Sequence, residues 1–193
     1  MQIKYFPGTT IPFNPSLSAN CFLVISSLCT ATGGITLSQL MEMTGLEGTT
    51  VQNWVKRGWV SKTTHKKYNE GQIARILIIS VLRESLPLEQ ISGLMSYVNG
   101  SVDDMSDDII DEGELYSRLC AIIYELDENK LSADSIKSAI KEHLADYEGP
   151  LPDSKERLFG ALRVMVTAYI AAMIKRKSER LCNELLACDK EQP

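Results

Sequence analysis

Three helix-start signals follow one another between residues 36 and 72, and they constrain the fold more than any other feature. Each signal places a capping side chain three residues before a glutamine, in the pairs Thr36 and Gln39, Thr49 and Gln52, and Asn69 and Gln72. In this capping-box arrangement, two side chains satisfy the unpaired N–H groups of a helix's first turn. The pattern predicts four consecutive helices, over 37–43, 50–57, 70–85 and 87–98.

The rest of the chain is also predicted to be mainly helical. An irregular arm precedes a helix that starts at Asn14 and Pro15 and ends at Gly33. Beyond Gly100, an acidic connector leads into three further helices with apolar residues at helical spacing. The segment from Trp59 to Tyr68 has no helical period and is predicted to form a short β-hairpin or extended wing.

The helix predicted over 50–57 has two chemically different faces. Its buried face is predicted from the i, i+3, i+4, i+7 spacing of Val51, Trp54, Val55 and Gly58. The opposite face carries the polar side chains of Thr49, Gln52, Asn53 and Lys56. Glutamine and asparagine can pair with adenine in the major groove of DNA, and lysine can reach guanine or phosphate. The alternative interpretation is that these residues are solvated polar residues of an ordinary helix.

A tight turn at Gly45 joins this helix to the preceding one. Leu40 and Met43 of the first helix are placed to pack against apolar residues of the second, which is helix-turn-helix geometry. The wing that follows carries Lys62, Lys66 and Lys67, which are suited to phosphate contacts. Tyr68 has two interpretations, as a DNA contact or as a plug between the wing and the next helix.

The charge of the chain is unevenly distributed. The net charge is −5, but residues 50–83 contain seven basic residues and one acidic residue. Residues 84–160 contain 18 acidic and six basic residues. This distribution predicts one surface that attracts polyanions and another that repels them. Arg75, in the third of the four helices, is a candidate for a further phosphate contact.

Several motifs between residues 35 and 110 resemble the MerR pattern in order and spacing. They are Ile35-Thr-Leu-Ser-Gln-Leu40, Met43-Thr-Gly-Leu46, Thr50-Val-x-x-Trp54, Gly58-Trp-Val60, Lys67-Tyr68 and Leu88-Glu-Gln-Ile91. The basic wing that ends in Lys-Lys-Tyr68, with the later Tyr-Val-Asn-Gly100 and Asp-Asp-Ile-Ile110, also resembles an uncharacterised bacterial domain family of unknown function related to MerR. The resemblance implies a MerR-like winged helix-turn-helix that binds promoter DNA as a homodimer and responds to a small-molecule effector.

The sequence departs from the MerR pattern at two points. MerR proteins usually have an arginine at the position of Gln52, and their long coiled-coil helix directly follows the fourth helix. Here an acidic connector and shorter helices follow instead.

The sequence thus predicts a mainly α protein with a small β wing. Its predicted parts are an N-terminal arm and helix (1–34), a DNA-binding domain (35–100) and an α-helical dimerisation or effector domain (101–193). From the residues and the resemblance together, the candidate DNA-binding residues are Thr49, Gln52, Asn53, Lys56, Arg57, Lys62, Lys66, Lys67, Tyr68 and Arg75.

No catalytic or metal-binding motif is recognised in the sequence. His65 and His143 lie far apart, and Cys182 and Cys188 are spaced six residues apart near the C-terminus without converging ligands. We therefore expect neither an enzyme nor a cofactor. The five cysteines form no CxxC pair, which favours reduced thiols in a cytoplasmic protein.

The apolar stretch from Leu158 to Ile174 contains Arg163, which favours a buried helix over a membrane span. Phe159, Met165, Tyr169 and Met173 recur along it at helical spacing, and such stripes more often form a core than an effector pocket.

Two functions are compatible with these features. The first is a sequence-specific transcription regulator, with helix 50–57 in the major groove and wing 62–68 on the phosphate backbone. The second is a protein-interaction module that uses the same scaffold and docks a partner through the region of Trp54 and Trp59.

Overall fold

The computed structural model describes residues 5–14, 21–104, 106–127 and 130–188, apart from the side chain of Cys188. Within these ranges the protein is mainly helical, with one two-stranded sheet. The elements in chain order are α1 (Leu23–Thr32), β1 (Ile35–Thr36), α2 (Leu37–Thr44), α3 (Gly48–Lys56), β2 (Lys67–Tyr68), α4 (Glu70–Leu82), α5 (Leu88–Asn99), α6 (Glu112–Glu125), α7 (Ala133–His143) and α8 (Ser154–Cys188).

The predicted capping boxes of α2 and α4 are confirmed, and that of α3 is wrong. The Thr36 hydroxyl accepts a hydrogen bond from the backbone N–H of Gln39, and Asn69 does the same with Gln72. Helix α3 instead begins at Gly48, and its N-cap residue Glu47 makes no side-chain cap hydrogen bond. Thr49 therefore lies inside the first turn rather than before it.

The two strands pair across the helix-turn-helix segment, and one isolated antiparallel bridge, between Thr64 and Lys67, lies within the wing. β1 and β2 are antiparallel, with Ile35 opposite Tyr68 and Thr36 opposite Lys67. The short sheet therefore joins the residue that caps α2 to the end of the wing, just before α4.

Helix α4 forms the centre of the core. Its residues from Gln72 to Ile79 are all buried, because α1 and α5 pack against it as well as α6 and α8. At its middle, Arg75 forms a buried ion pair with Glu112 of α6, with the Arg75 Nε donating to the carboxylate at 2.6 Å. The core is thus continuous across Gly100, the predicted domain boundary.

The described part of the predicted N-terminal arm folds back onto the body. The backbone N–H of Phe6 donates to the carbonyl of Ile11 at 2.9 Å, which closes a short turn. The Phe13 ring lies against Tyr124 of α6, with 4.4 Å between centroids. Pro15, part of the predicted helix start, lies outside the described residues, and the described helix α1 begins at Leu23.

The C-terminal helix α8 is the longest element, with 35 residues. Its first half packs against α5, α6 and α7, and Met165 of the predicted stripe is buried there. By length and composition this helix could cross a membrane, but 39% of its most apolar window is buried. The core helices of globular proteins meet the same criterion, so a single helix of this kind is weak evidence.

Candidate nucleic-acid interface

Helix α3 has the two faces that the sequence predicts. Val51 is buried, and Trp54 is only 2% exposed, beneath the guanidinium of Arg83. Gln52, Asn53 and Lys56 are exposed on the other side. Gly58, expected on the buried face, is exposed and has a positive φ of 74°. The polar face of α3 is therefore accessible to a ligand.

The turn between α2 and α3 fixes the position of α3. Gly45 ends α2 in the left-handed region, with φ 69°, which glycine adopts without strain. Leu46 follows as a buried residue, and it lies in one core cluster with Leu40 and Trp54. The predicted packing between these two helices is confirmed.

The wing ends in a tight turn at His65 and Lys66. Both residues have positive φ, 53° and 60°, and the Lys67 N–H donates to the Thr64 carbonyl at 3.1 Å. Positive φ at both central residues is the pattern of a type I′ turn, the usual connection of two-residue hairpins. Lys66 is exposed at the tip of this turn, so its charge projects away from the body.

A buried glutamine holds the base of the wing. The Gln72 side-chain amide donates to the carbonyls of Ser61 and Lys62, both at 3.0 Å, while its oxygen accepts from the Asn69 N–H at 2.8 Å. The sequence identified Gln72 as part of a capping box but gave no sign of this second contact. Gln72 thus links the start of α4 to the segment that carries the wing lysines.

Two of the basic residues that are predicted to contact DNA already interact with other residues of this chain. Arg57 lies 3.7 Å from the Glu89 carboxylate and 5.1 Å above the centre of the Trp59 ring. Lys67 donates its ammonium to the carbonyl of Thr32. Both side chains thus lie at the edge of the surface formed by α3 and the wing, whereas Lys56, Lys62 and Lys66 are exposed on it.

Two candidate DNA contacts have buried side chains, which argues against a role for them in binding DNA. Arg75 is 5% exposed and paired with Glu112, so it cannot reach a phosphate without breaking a buried ion pair. Tyr68 is also 5% exposed, and burial raises the pKa of its hydroxyl. Of its two interpretations, the plug between the wing and α4 fits its position. Of the region proposed to dock a protein partner, the Trp54 ring lies in the core, whereas Trp59 is only partly buried.

The other candidate residues lie on α3 and on the wing that follows it in the chain, and all of them except the half-buried Lys67 are exposed. We call their surface the α3–wing face, and its members are Thr49, Gln52, Asn53, Lys56, Arg57, Lys62, Lys66 and Lys67. Among the described residues, no group of three or more His, Cys, Asp and Glu side chains is arranged to hold a metal ion. The side chain of Cys188, half of the cysteine pair considered above, lies outside the described residues.

Comparisons with known proteins place most of this region in a domain family. Residues 30–119 match a family model described as a domain of unknown function, DUF1836. The match confirms that this region is a domain of unknown function, and it extends beyond Gly100 into α6. This extent is physically reasonable, because α6 packs on α4 and supplies Glu112.

One curated relative is similar to this chain. It is "Uncharacterized protein YkrK" from Bacillus subtilis (strain 168), 29% identical over 118 residues, which cover 59% of this chain and 50% of the relative. The match therefore spans about half the length of that relative. No solved structure matches the chain significantly.

Proposed function

We propose that this protein binds double-stranded DNA as a sequence-specific transcription regulator of MerR-like type. In this proposal, α3 enters the major groove and the wing lies on the phosphate backbone. The observation that carries the proposal is the exposure of Gln52 and Asn53 on one face of α3, together with the exposure of Lys62 and Lys66 in the wing that follows.

The size and chemistry of α3 suit the major groove. The groove is about 12 Å wide and admits one α-helix. Gln52 and Asn53 each offer a donor and an acceptor, so each can form the bidentate pair that identifies adenine. The N-cap residue of α3 makes no side-chain hydrogen bond, so a phosphate oxygen can accept from the N–H groups at the very start of the helix, whereas the Thr50 N–H already donates to the Glu47 carbonyl at 3.0 Å.

The α3–wing face divides into base-reading and backbone-binding residues. Gln52, Asn53 and Lys56 are proposed to read base edges, and Thr49 lies at the N-terminal end of the same face. Lys62 and Lys66 are proposed to bind phosphates, which would position α3 without reading sequence. Arg57 and Lys67 can add contacts at the edge if they exchange their present partners for phosphate.

The arrangement around α3 supports the resemblance to MerR. A helix pair joined by a glycine turn is followed by a tight hairpin tip and a long buried helix, in the order that the resemblance implies. The position of Gln52 argues for a base preference different from that of MerR proteins, which usually place arginine there.

Salt-dependent binding to a pool of random-sequence duplex DNA tests this proposal. Each phosphate contact contributes about −0.9 to the slope of log affinity against log salt, so Lys62, Lys66 and one edge contact by Arg57 or Lys67 predict roughly −3 per bound chain. Lys62→Gln combined with Lys66→Asn should remove about two units of that slope. Asparagine is chosen for position 66 because it tolerates the positive φ of that residue.

The matched control neutralises two lysines of the acidic half. Lys137→Gln combined with Lys141→Gln removes the same charge from α7 and should leave the slope unchanged. Gln52→Ala combined with Asn53→Ala should leave the salt slope unchanged. This variant should bind the fragments selected from the pool no more tightly than unselected fragments. A slope near zero for the unmodified chain, or an equal loss in the α7 control, would overturn the proposal.

A further inference from the structure

The last turns of α8 are exposed to solvent, although Arg180 still borders a cavity shared with the N-terminal arm. Every side chain from Lys177 to Ala187 is exposed, whereas the earlier part of the helix buries Leu162, Met165 and Ala172. Arg176 donates to Glu84 at 2.6 Å and ties α8 to the end of α4 just before this point. The 11 exposed residues extend about 16 Å along the helix axis, at 1.5 Å per residue.

A regular stripe runs along the side of α8 that faces away from the body. We call this stripe the seam; its residues alternate at spacings of three and four, and they are Val164, Thr167, Ala171, Ile174, Ser178, Leu181 and Leu185. Each of them is exposed. The spacing is that of the a and d positions of a coiled coil, sustained for three heptads.

The seam contains large apolar side chains that water solvates poorly. Ile174 and Leu181 are each 56% exposed, and Leu185 is 72% exposed. An isolated helical segment of this length is marginal in water, and most helical stability comes from packing of an apolar face. The protruding end of α8 therefore requires a partner along the seam.

The charges beside the seam indicate what that partner is. Lys177 and Glu184 occupy the same flanking position, g, in successive heptads, taking Val164 as a. In an antiparallel pair, g residues face g residues of the other helix, so Lys177 of each copy would face Glu184 of the other. The same register places Ile174 opposite Leu185 and Ser178 opposite Leu181. The seam is thus complementary to itself.

We propose that the seam of α8 binds the seam of a second copy in antiparallel orientation, forming a homodimer. A two-fold contact of this kind is self-complementary and closes without forming fibres. Ser178 lies in its middle, and a polar residue at one a position fixes register at a cost in stability. The proposal does not depend on DNA binding.

A membrane is the competing occupant, and the charges argue against it. Lys175, Arg176 and Lys177 follow Ile174 directly, and Glu179 and Arg180 come soon after. Charged residues within a spanning segment are costly. They are expected where a helix pair leaves its flanks in water.

The first test measures the oligomeric state of the full chain without DNA, by sedimentation over a range of concentrations. We expect a dimer, and Leu181→Asp should convert it to a monomer. Asn183→Asp adds the same charge to an exposed position two residues away, on the other side of the helix, and should leave the dimer intact. A monomer at all concentrations, or equal behaviour of the two variants, would overturn the proposal.

The second test addresses orientation through charge reversal. Lys177→Glu or Glu184→Lys alone should weaken the dimer about tenfold, because each change places like charges together twice. The double variant should restore the original affinity. A parallel pair would place Lys177 beside Cys182, so absence of rescue would overturn the antiparallel arrangement.

Binding to vesicles of neutral lipid that Leu181→Asp abolishes would assign the seam to a membrane instead.

Discussion

Helix α3 and the end of α8 expose opposite kinds of surface. The exposed face of α3 carries amides and cations, while its apolar face is covered by the core. The exposed end of α8 carries leucines, and its polar residues lie beside them. A polar helix face can remain in water until a ligand arrives, whereas an exposed apolar stripe indicates a contact that is present most of the time. We therefore interpret α3 as a surface that is covered only when its ligand binds. We interpret the seam as a surface that its partner covers most of the time.

Truncating one apolar residue in each helix gives the largest expected difference between these regions. Trp54→Ala should lower the free energy of unfolding by roughly 3–5 kcal/mol, because it opens a cavity in the core. Leu185→Ala, made in the monomeric Leu181→Asp background, should change it by less than about 0.5 kcal/mol. Urea unfolding followed by Trp59 fluorescence, or by circular dichroism, measures both. Comparable losses would contradict the exposure of the α8 end.

A buried cysteine of α1 and an exposed cysteine of α8 should differ in reactivity by about a hundredfold or more. Burial, and then the nearby charge of Glu70, raise the pKa of the Cys29 thiol from 9.0 to about 11. At pH 8 its thiolate fraction is therefore about a hundredfold below that of an ordinary thiol, and only the thiolate reacts. Cys182 is exposed on α8 and should be labelled first. Alkylation followed by peptide mass analysis identifies each site.

The raised pKa of the Cys29 thiol also predicts how the stability of the protein changes at high pH. Above pH 9 the unfolded chain loses the Cys29 proton before the folded chain does, so stability should fall between pH 9 and about 11. Cys29→Ser should reduce that part of the decline. Rapid labelling of Cys29 in the native protein at pH 8 would contradict the burial of this side chain.

Two threonines that look alike in sequence provide the smallest expected contrast. Thr36→Ala should cost about 1 kcal/mol, because it removes the side-chain cap of α2. Thr49→Ala should change stability by less than about 0.5 kcal/mol, because α3 begins at Gly48 and Thr49 caps nothing. The same unfolding measurement compares them. A cost at Thr49 as large as that at Thr36 would restore the capping box that the sequence predicted.

Most helices could be predicted because their signals are local. The caps of α2 and α4 depend on side chains three residues apart, and the apolar face of α3 depends on a spacing within one helix. The failure at Thr49 has a local cause too, since Glu47 and Gly48 start the helix two residues earlier than the threonine suggests.

The roles of the basic residues could be predicted only in part. Lys62 and Lys66 are exposed where the charge pattern placed them, whereas Arg75 is buried. Nothing near Arg75 in the sequence identifies its partner, because Glu112 lies 37 residues further on. The contact of Gln72 with the wing was missed for a related reason, since it joins residues from two different segments.

The sequence determined where the helices begin, which faces are apolar and where positive charge accumulates, because each property is set by residues a few positions apart. The packing of α4 against α6 decided which charges reach solvent, and so removed Arg75 and Tyr68 from the α3–wing face. It also decided that the far end of α8 projects beyond the core. Burial depends on contacts between distant segments, and these form only when the whole chain has folded.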